Sequence, residues 1–423
     1  MKNRKQKAFA CTAAALSLAL FGACSGGEYR EKPLSENAVS LTASLVADKS
    51  VRTGNSGEFS ENNLAFSTDF FRRSYTGGNT LVSPLSLAAA LAMTANGARG
   101  ETLSEMERVL GMSKESLNVG LSAYLDKVAE SGALSVADSL WLRDTMKEKA
   151  NADFLQRNKD YYDAEIYAAP FDKTTVSDIN TWTENATRGM IKELIQEISP
   201  DSVAYLINAL YFSGEWQNKY EKSDIAEGMF TAADGTASRV KTMKSSEEIY
   251  LSDENTTGFV KAYKGGEFAF AAFLPAEEIS INEYVAGFSA EKWQGLFGHS
   301  SRESVICTMP AFSYDFSVTA NGILKDMGMP TAFDAAKADF SDMFDLCPEE
   351  NVYIGEVLQK TRIEVDEAGT KAAAVTEIGM KGFAAPDKIE IPVKIVILDR
   401  PFVYAIIDTE NNYPIFLGAV TKL

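Results

Sequence analysis

The 423-residue sequence contains one histidine, His299, and only four cysteines. These are too few ligands for a histidine and cysteine metal cluster or for the H-E-x-x-H arrangement of zinc proteases. The G-x-S-x-G turn of many hydrolases and the G-x-x-x-x-G-K-[ST] phosphate loop are also missing. A catalytic triad would have to use His299, in the polar stretch LFGHS, as its base. We therefore expect no enzyme, no metal and no cofactor, with a His299-dependent peptide or ester hydrolase as the remaining enzymatic alternative.

Basic residues are outnumbered, with 41 Lys and Arg against 59 Asp and Glu, for a formal charge of −18. Such a surface repels phosphate backbones and anionic lipid headgroups. We expect no nucleic-acid partner, and membrane contact only through the N-terminal lipid proposed below.

Cysteines are too scarce to form a dense disulfide framework. Cys11 lies in the N-terminal apolar segment, which leaves Cys307 and Cys347 as the thiols of the folded part. We expect both to be free, and one bridge between them is the alternative.

The N-terminus has the pattern of a secretory signal. Four basic residues precede an apolar run over residues 8–23, which is too short and wrongly flanked for an ordinary membrane span. The run ends in LFGAC, which resembles the lipobox of bacterial lipoproteins, with Phe21 in the place usually held by Leu. We predict a signal peptide over residues 1–23 and lipid attachment at Cys24. A plain signal peptide with an accidental cysteine is the alternative.

Residues 24–58 are rich in Ser, Gly, Asn and charge, and we predict a flexible tether there. The remainder, residues 59–423, has no second low-complexity linker, internal repeat or charge block. We predict one large folded domain over this range.

Helix signals are concentrated in the first part of this domain. Ser83 is a suitable N-cap, Pro84 suits the first turn, and Asn96-Gly97 would end that helix. The spacing of Thr102 and Glu105 in TLSE predicts a capping box for a second helix, which Gly111 would end.

Strand-like runs dominate the later part. They include SVADSLWLR, VAYLINALYF, FAFAAFLP and, near the end, two runs joined as a hairpin across ENN. Because helices and strands do not alternate regularly, we predict an α+β fold with antiparallel or mixed sheets.

Five segments resemble blocks of one known family in the same order. They are SPLSLAAALAMTANGARGET (83–102), NALYFSGEW (208–216), PAF (310–312), GTKAAAVT (369–376) and the C-terminal DRPFVYAIID and PIFLGAV (399–408 and 414–420). The chain is therefore identified as resembling the serpins, from about Asn62 to Val420. The resemblance implies helices around three mostly antiparallel or mixed β-sheets, with an exposed reactive-centre loop that offers a bait peptide bond to a protease. It also implies inhibition by cleavage and insertion of that loop into the central sheet. A non-inhibitory serpin with a binding or chaperone-like role is the alternative.

The loop implied by the resemblance is residues 366–388, DEAGTKAAAVTEIGMKGFAAPDK. Successive strand residues point to opposite faces, so an inserted strand would place Thr370, Ala372, Ala374 and Thr376, all small and uncharged, toward the core. The charged Lys371 and Glu377 would face solvent, and no proline interrupts residues 370–381. The alternative is an Ala-rich surface loop. The predicted hinge comprises Glu367, Gly369, Thr370, Ala372, Ala373, Ala374 and Thr376.

Other positions match a family cluster beneath the sheet that must open. The predicted sheet-opening residues are Ser83, Ser86, Asn208, Gln359 and Trp216, the last near the insertion point. Many serpins carry a histidine where this chain has Gln359, and an amide cannot titrate. Ordinary polar packing is the alternative for these positions.

The family's usual spacing from Gly369 places the reactive bond at Phe383-Ala384. Lys381 and Met380 are alternatives, and counting backward from Pro401 ends near Glu390. We expect partners among chymotrypsin-, elastase- or trypsin-like serine proteases, with cysteine proteases as a further class. We expect an exported monomer, anchored by lipid in the outer membrane and facing the periplasm or the cell surface.

Overall fold

The structure is a computed structural model that describes residues 29–199, 202–347, 350–370 and 393–423. The helices within these ranges are α1 (Ser56–Ser74), α2 (Pro84–Ala95), α3 (Gly100–Leu110), α4 (Lys114–Ala129), α5 (Ala152–Tyr162), α6 (Lys173–Ala186), α7 (Ile281–Ala286), α8 (Ala290–Gly298) and α9 (Asn321–Met327). The strands are β1 (Val39–Ser40), β2 (Thr80–Val82), β3 (Leu134–Arg143), β4 (Glu165–Ala169), β5 (Ala204–Phe212), β6 (Gly214–Glu215), β7 (Ile225–Thr231), β8 (Ala237–Asp253), β9 (Thr256–Ala262), β10 (Phe268–Pro275), β11 (Ser301–Pro310), β12 (Phe312–Thr319), β13 (Glu356–Val365), β14 (Gly369–Thr370), β15 (Lys394–Ile397), β16 (Phe402–Asp408) and β17 (Tyr413–Val420). Single 3-10 turns lie at Lys49–Val51, Asp144–Lys149, Lys222–Asp224 and Thr331–Phe333. Among the described residues, no helix is both long enough and apolar enough to cross a bilayer.

The strands form two mixed sheets, which confirms the α+β prediction. The first sheet has eight strands in the order β1-β4-β3-β5-β13-β14-β6, with β12 on the other edge of β13. The second has nine, in the order β15-β11-β8-β9-β10-β16-β17-β2, with β7 also paired to β8. The resemblance implied three sheets. Because β8 is 17 residues long, it pairs with both β11 and β9 and joins two of the three into one hydrogen-bonded sheet.

The apolar core consists of two clusters of buried side chains. A large cluster joins α1, α2 and α4 to the second sheet through side chains such as Phe70, Leu91, Phe270 and Tyr404. A smaller cluster packs Ile179 of α6 onto one face of β3, β4 and β5 around Trp141. The first sheet is therefore covered on both faces at β3, β4 and β5. Along β13 buried and half-exposed side chains alternate, so a strand added beside it would have one buried face.

Helix α2 begins, and helix α3 ends, at the residues that the sequence indicates. The Ser83 side chain accepts a hydrogen bond from the backbone N–H of Ser86, and Pro84 occupies the first turn of α2. Gly111 ends α3 with φ of 78°, a conformation in which glycine avoids a Cβ clash.

The predicted capping box at Thr102 and Glu105 is wrong. The helix α3 begins earlier, at Gly100. The Thr102 hydroxyl instead accepts a hydrogen bond from the backbone N–H of Asp339 at 2.9 Å, and the Glu105 carboxylate binds the backbone and hydroxyl of Thr331 at 2.8 and 2.9 Å. Both side chains are buried and satisfy a distant loop, which sequence spacing alone does not reveal.

The predicted tether over residues 24–58 needs correction over its described part, which begins at Tyr29. This segment lies along the domain: β1 pairs with β4, both the N–H and the hydroxyl of Ser35 donate to Asp178, and Arg52 donates to Asp126 at 2.7 Å. The helix α1 already begins at Ser56. The composition was misleading because hydrogen bonds and strand pairing, with little apolar burial, hold the segment in place. The predicted signal peptide and Cys24 lie outside the described residues.

Candidate functional site

The centre of the first sheet is only partly closed. One edge of β13 pairs with β12 along its length, while the other edge pairs with β5 only from Glu356 to Gln359. Farther along that second edge, the next pairing among the described residues is Val365 with Thr370. The C-terminal half of β5, residues 209–212, pairs within the same described ranges only with β3. We call this end of the sheet, where β14 lies, the upper end. We call the space between these two unpaired edges the β5–β13 gap.

The short strand β14 fills the upper end of the β5–β13 gap. It pairs with β13 through Thr370 and with β6 through Gly369 and Thr370. A Cβ on Gly369 would lie 2.1 Å from the carbonyl oxygen of Gly214, so only glycine allows the backbones to approach this closely. Beside Thr370 a narrow cleft continues along β13, with Phe212 and Ile363 in its wall.

Thr370 contacts an aromatic stack beneath the sheet. Its buried hydroxyl hydrogen bonds to the hydroxyl of Tyr263, and burial raises the pKa of that phenol well above its ordinary value. The Tyr263 ring stacks on Trp216 with centroids 4.6 Å apart and planes 8° from parallel. Trp216 in turn donates from its indole nitrogen to the carbonyl of Asp366 at 2.8 Å and from its backbone to the carbonyl of Ala368 at 2.9 Å. The segment that leads into β14 is thus fixed by Trp216.

Two ion pairs flank this stack. Lys241 binds Glu367, and this hydrogen bond lowers the pKa of the Glu367 carboxyl. Deeper in the protein, the Nζ atom of Lys261 lies 2.8 Å from the carboxylate of Glu247, and the Lys261 side chain is only 2% exposed. The Lys261 ammonium lies 4.5 Å from the ring centre of Tyr220 and 5.4 Å from that of Trp216.

Sequence patterns do not single out Lys261 or Tyr263, and they favour a solvated face for the acidic pair Glu247 and Glu248, whereas the Glu247 side chain is only 10% exposed. A signal was present for Lys261, because it interrupts the otherwise apolar strand around FVKA. Burying a lysine requires a partner, but the sequence alone does not show which carboxylate supplies it.

At the lower end of the β5–β13 gap, Gln359 binds the start of helix α2. Its side-chain oxygen accepts from the backbone N–H of Ser83 at 2.9 Å, and its amide nitrogen donates to the Ser83 carbonyl at 2.8 Å. The Ser83 hydroxyl donates to the carbonyl of Ile415 at 2.8 Å and caps α2 by accepting from Ser86. The polar groups of Gln359 and Ser83 are therefore satisfied together, at the last β5–β13 pair.

The structure brings together only part of the predicted sheet-opening set. Ser83, Ser86 and Gln359 form the cluster just described, and the Asn208 backbone lies opposite Gln359 in β5. Trp216 lies at the other end of the β5–β13 gap and belongs to the upper site. Glu367, Gly369 and Thr370 also lie there. The remaining predicted residues, Ala372, Ala373, Ala374, Thr376, Met380, Lys381, Phe383 and Ala384, are outside the described residues.

Histidine and cysteine chemistry does not contribute to this site. His299 ends α8 in an exposed position, where its ring nitrogen Nδ1 lies 2.7 Å from the Gly295 carbonyl. Cys307 and Cys347 are both free, as expected. Burial raises the pKa of the Cys307 thiol, so it stays protonated at neutral pH. No cluster of three potential metal ligands occurs within the described ranges.

The sequence profile of the family described as "Serpin (serine protease inhibitor)" matches residues 61–423. The chain belongs to the serpin family. The crystal structure of the thermophilic serpin tengpin in its native state is similar over 92% of this chain and all of that chain, with 40% identity and a TM-score of 0.85. Among curated proteins, Iris of Ixodes ricinus is 28% identical over 85% of this chain and 98% of its own length.

The comparison with tengpin also concerns the conformational state. Its latent-state crystal structure covers 93% of this chain at 38% identity, but the TM-score falls to 0.75. The two tengpin structures differ little in identity to this serpin, so the difference in score reflects conformation. The present serpin structure is more similar to the native than to the latent arrangement.

Many serpins inhibit serine or cysteine proteases and some do not inhibit any, so membership of the family leaves the activity of this serpin to be argued from its own residues.

Proposed function

We propose that this serpin inhibits serine proteases as a suicide substrate, by inserting its cleaved loop into the β5–β13 gap. The observation that carries the proposal is β14: two residues of the predicted hinge, Gly369 and Thr370, already lie between β13 and β6. The sheet is therefore open at its centre, and the beginning of a new strand is already in place at the upper end of the opening.

The register of β14 fixes where further residues would lie. Thr370 pairs antiparallel with Val365, so continuing the same ladder would place Ala372, Ala374 and Thr376 opposite three buried residues of β13, namely Ile363, Thr361 and Gln359. The small uncharged face of the hinge would thus enter the core, as alternation along a strand requires.

The opposite face of the inserted strand would meet the half-exposed side chains of β13. Lys371 would lie opposite Glu364, a charge pair of favourable sign across two neighbouring strands. Insertion would therefore bury no unpaired charge over residues 370–376.

Energy for the reaction would come from completing the sheet. About ten inserted residues would gain about ten ladder hydrogen bonds, each with a net value of about 0.5–1.5 kcal/mol, and apolar burial would add to this. The total is comparable with the stability of an ordinary domain.

Insertion can trap the protease only while the protease is covalently attached. The protease serine would form an ester with the carbonyl carbon of the reactive residue as the peptide C–N bond breaks and the new amine leaves. Insertion of the hinge would then carry the attached protease along the sheet and distort its active site before water hydrolyses the ester.

The bond we propose is Phe383-Ala384, with Lys381 and Met380 as alternatives. Phenylalanine suits the deep apolar pocket of a chymotrypsin-like protease, whereas Lys381 suits a trypsin-like one. Mass spectrometry of the small C-terminal fragment released from the complex would identify the bond. A fragment that begins at Ala384 supports Phe383 as the reactive residue, and one that begins at Gly382 supports Lys381.

We also propose that the protein is exported and anchored through Cys24 in the outer membrane. The signal-like run and LFGAC support this. Labelling with a fatty acid in a bacterial host, compared between the wild type and Cys24→Ser, tests it. A Cys24→Ser protein that still carries the label would contradict the anchor.

The inhibitory function is tested by mixing the protein with chymotrypsin, elastase and trypsin and analysing the products by denaturing electrophoresis. We expect a complex of serpin and protease that survives SDS, in a ratio near one to one. If every protease merely cleaves the loop and continues to turn over, the protein is a substrate and the non-inhibitory alternative is favoured.

A further inference from the structure

A stripe of exposed apolar side chains runs along β15. Val393, Ile395 and Ile397 are 47%, 64% and 45% exposed. These residues alternate along the chain, so their side chains share one face, while Val396 and Leu398 on the other face are buried. We call the three exposed residues the β15 stripe.

The neighbouring strand widens the stripe. Ile395 pairs with Ile306 of β11 in a parallel register, and paired residues place their side chains on the same face of a sheet. Ile306 is partly exposed, so the apolar surface extends across two strands. Scattered exposed apolar residues are normal on protein surfaces, but a contiguous group of them marks a contact surface.

The position of the stripe in the chain identifies its partner. Val393 follows Phe383 by ten residues, and ten extended residues span at most about 35 Å. A protease domain of about 230 residues has a diameter of about 45 Å. A protease bound at Phe383, Lys381 or Met380 is therefore large enough to reach β15 with its own surface.

We propose that the β15 stripe is a docking surface for the protease that cleaves the reactive loop, and that it fits an apolar patch beside the active-site cleft of that protease. The inference rests on the proposed inhibitory function and adds a second point of recognition to it. Contacts with the stripe slow dissociation of the first encounter complex, so a larger fraction of encounters proceeds to cleavage. The stripe thereby selects among proteases that accept the same bait residue.

Two other occupants fit the structure less well. A second copy of this chain would pair along the edge of β15, but that strand is four residues long and carries Lys394, and both features oppose pairing between edges. An anionic membrane surface would be repelled by the net charge of −18.

The test variant is Ile395→Thr with Ile397→Thr. Threonine keeps the β-branched shape that favours strands while removing apolar surface. We expect the second-order rate constant for complex formation with chymotrypsin to fall about three- to tenfold. The stoichiometry of inhibition should stay unchanged, because insertion into the β5–β13 gap does not use β15. The melting temperature should also stay unchanged, because both side chains are exposed.

Two controls separate docking from other effects. Ile395→Val with Ile397→Val retains the apolar stripe and should retain the rate. Val46→Thr removes another exposed apolar side chain, 84% exposed in the segment before α1, and should have no effect.

The outcomes are distinguishable. If the wild type forms covalent complexes and the threonine variant forms them equally fast, the docking surface is wrong and the inhibitory function stands. If the wild type forms no complex with any protease, the inhibitory function fails, and the docking surface fails with it. A wild-type dimer that the threonine variant dissolves, with unchanged inhibition rates, would overturn the proposal and identify the stripe as a contact between copies.

Discussion

Thr370 and Tyr263 hydrogen bond through their hydroxyls beneath the upper end of the β5–β13 gap, and both side chains are buried. Tyr263 is itself held by stacking on Trp216, which binds the carbonyls of Asp366 and Ala368. The first inserted hinge residue thus occupies a site whose walls are already packed. A larger or charged side chain has no room there.

Thr370→Arg should convert the inhibitor into a substrate. An arginine here would have to enter an apolar site without a carboxylate partner, which costs several kcal/mol, and insertion would stop at its first step. We expect the stoichiometry of inhibition to rise severalfold while the rate of loop cleavage stays close to that of the wild type. Titration of chymotrypsin with each protein measures both quantities.

The matched control is Thr370→Val, which keeps the volume of threonine and removes only the hydroxyl. Losing that one hydrogen bond costs about 0.5–1.5 kcal/mol, so inhibition should persist. Unchanged stoichiometry in Thr370→Arg would show that Thr370 does not lie on the inward face of the inserted strand.

Gln359→His should add a pH dependence between pH 5 and 7 to that of the wild type. Gln359 cannot titrate, and the one native histidine, His299, is exposed. Burial lowers the pKa of a histidine below about 6.5. The folded variant would then bind fewer protons than the unfolded chain, and its stability would fall as the pH drops from 7 to 5. Melting temperatures across this pH range, compared with those of the wild type, provide the measurement.

The same series on Gln359→His combined with His299→Gln isolates the new histidine. The pH dependence should remain in this double variant. A variant whose melting temperature follows that of the wild type at every pH would contradict a closed, dry cluster at Ser83.

Lys261→Met should destabilise the protein because it leaves Glu247 buried without its partner. The two side chains are 2% and 10% exposed, and removing one partner of a buried ion pair costs about 3–5 kcal/mol. Replacing both, as Lys261→Met with Glu247→Leu, should recover most of the loss, because the remaining surfaces are apolar and similar in volume. Thermal unfolding of the two single variants and the double variant measures the coupling.

A surface pair provides the comparison for this cycle. Arg239 and Glu227 lie 3.9 Å apart with side chains 81% and 85% exposed. Arg239→Met should leave the melting temperature unchanged, since solvent screens such pairs. Equal effects of Lys261→Met and Arg239→Met would show that the buried pair contributes little.

Local signals in the sequence predicted local structure well. Ser83 and Gly111 act on neighbours within a few residues, and each ends or begins a helix as its type indicates. Thr102 and Glu105 carry the same kind of signal, yet their partners lie more than 200 residues away, and the prediction failed there. A capping residue predicts reliably only where no distant group competes for it.

The centre of the site depends on the order of strands, which no short segment specifies. β5 and β13 are neighbours although about 150 residues separate them, and the gap between them exists because their pairing ends at Gln359. The motifs around Trp216 and Gly369 were sufficient to place residues near the insertion point through family resemblance. They did not reveal that Lys261 and Tyr263 lie beneath them, because Lys261 belongs to β9 of the second sheet and Tyr263 directly follows that strand.

Cleavage of the loop should raise the melting temperature of the protein. The uncut chain leaves one edge of β13 unpaired, within the described residues, from Lys360 to Glu364, and insertion would complete both edges. About ten new ladder hydrogen bonds of about 0.5–1.5 kcal/mol each correspond to an increase of roughly 10–20 °C for a domain of this size. Calorimetry before and after limited digestion of the loop measures the change, and cleaved Thr370→Arg serves as the control that cannot insert. If cleaved and uncut wild type melt at the same temperature, the native fold holds no energy to release, and inhibition by insertion is excluded even though the serpin architecture is correct.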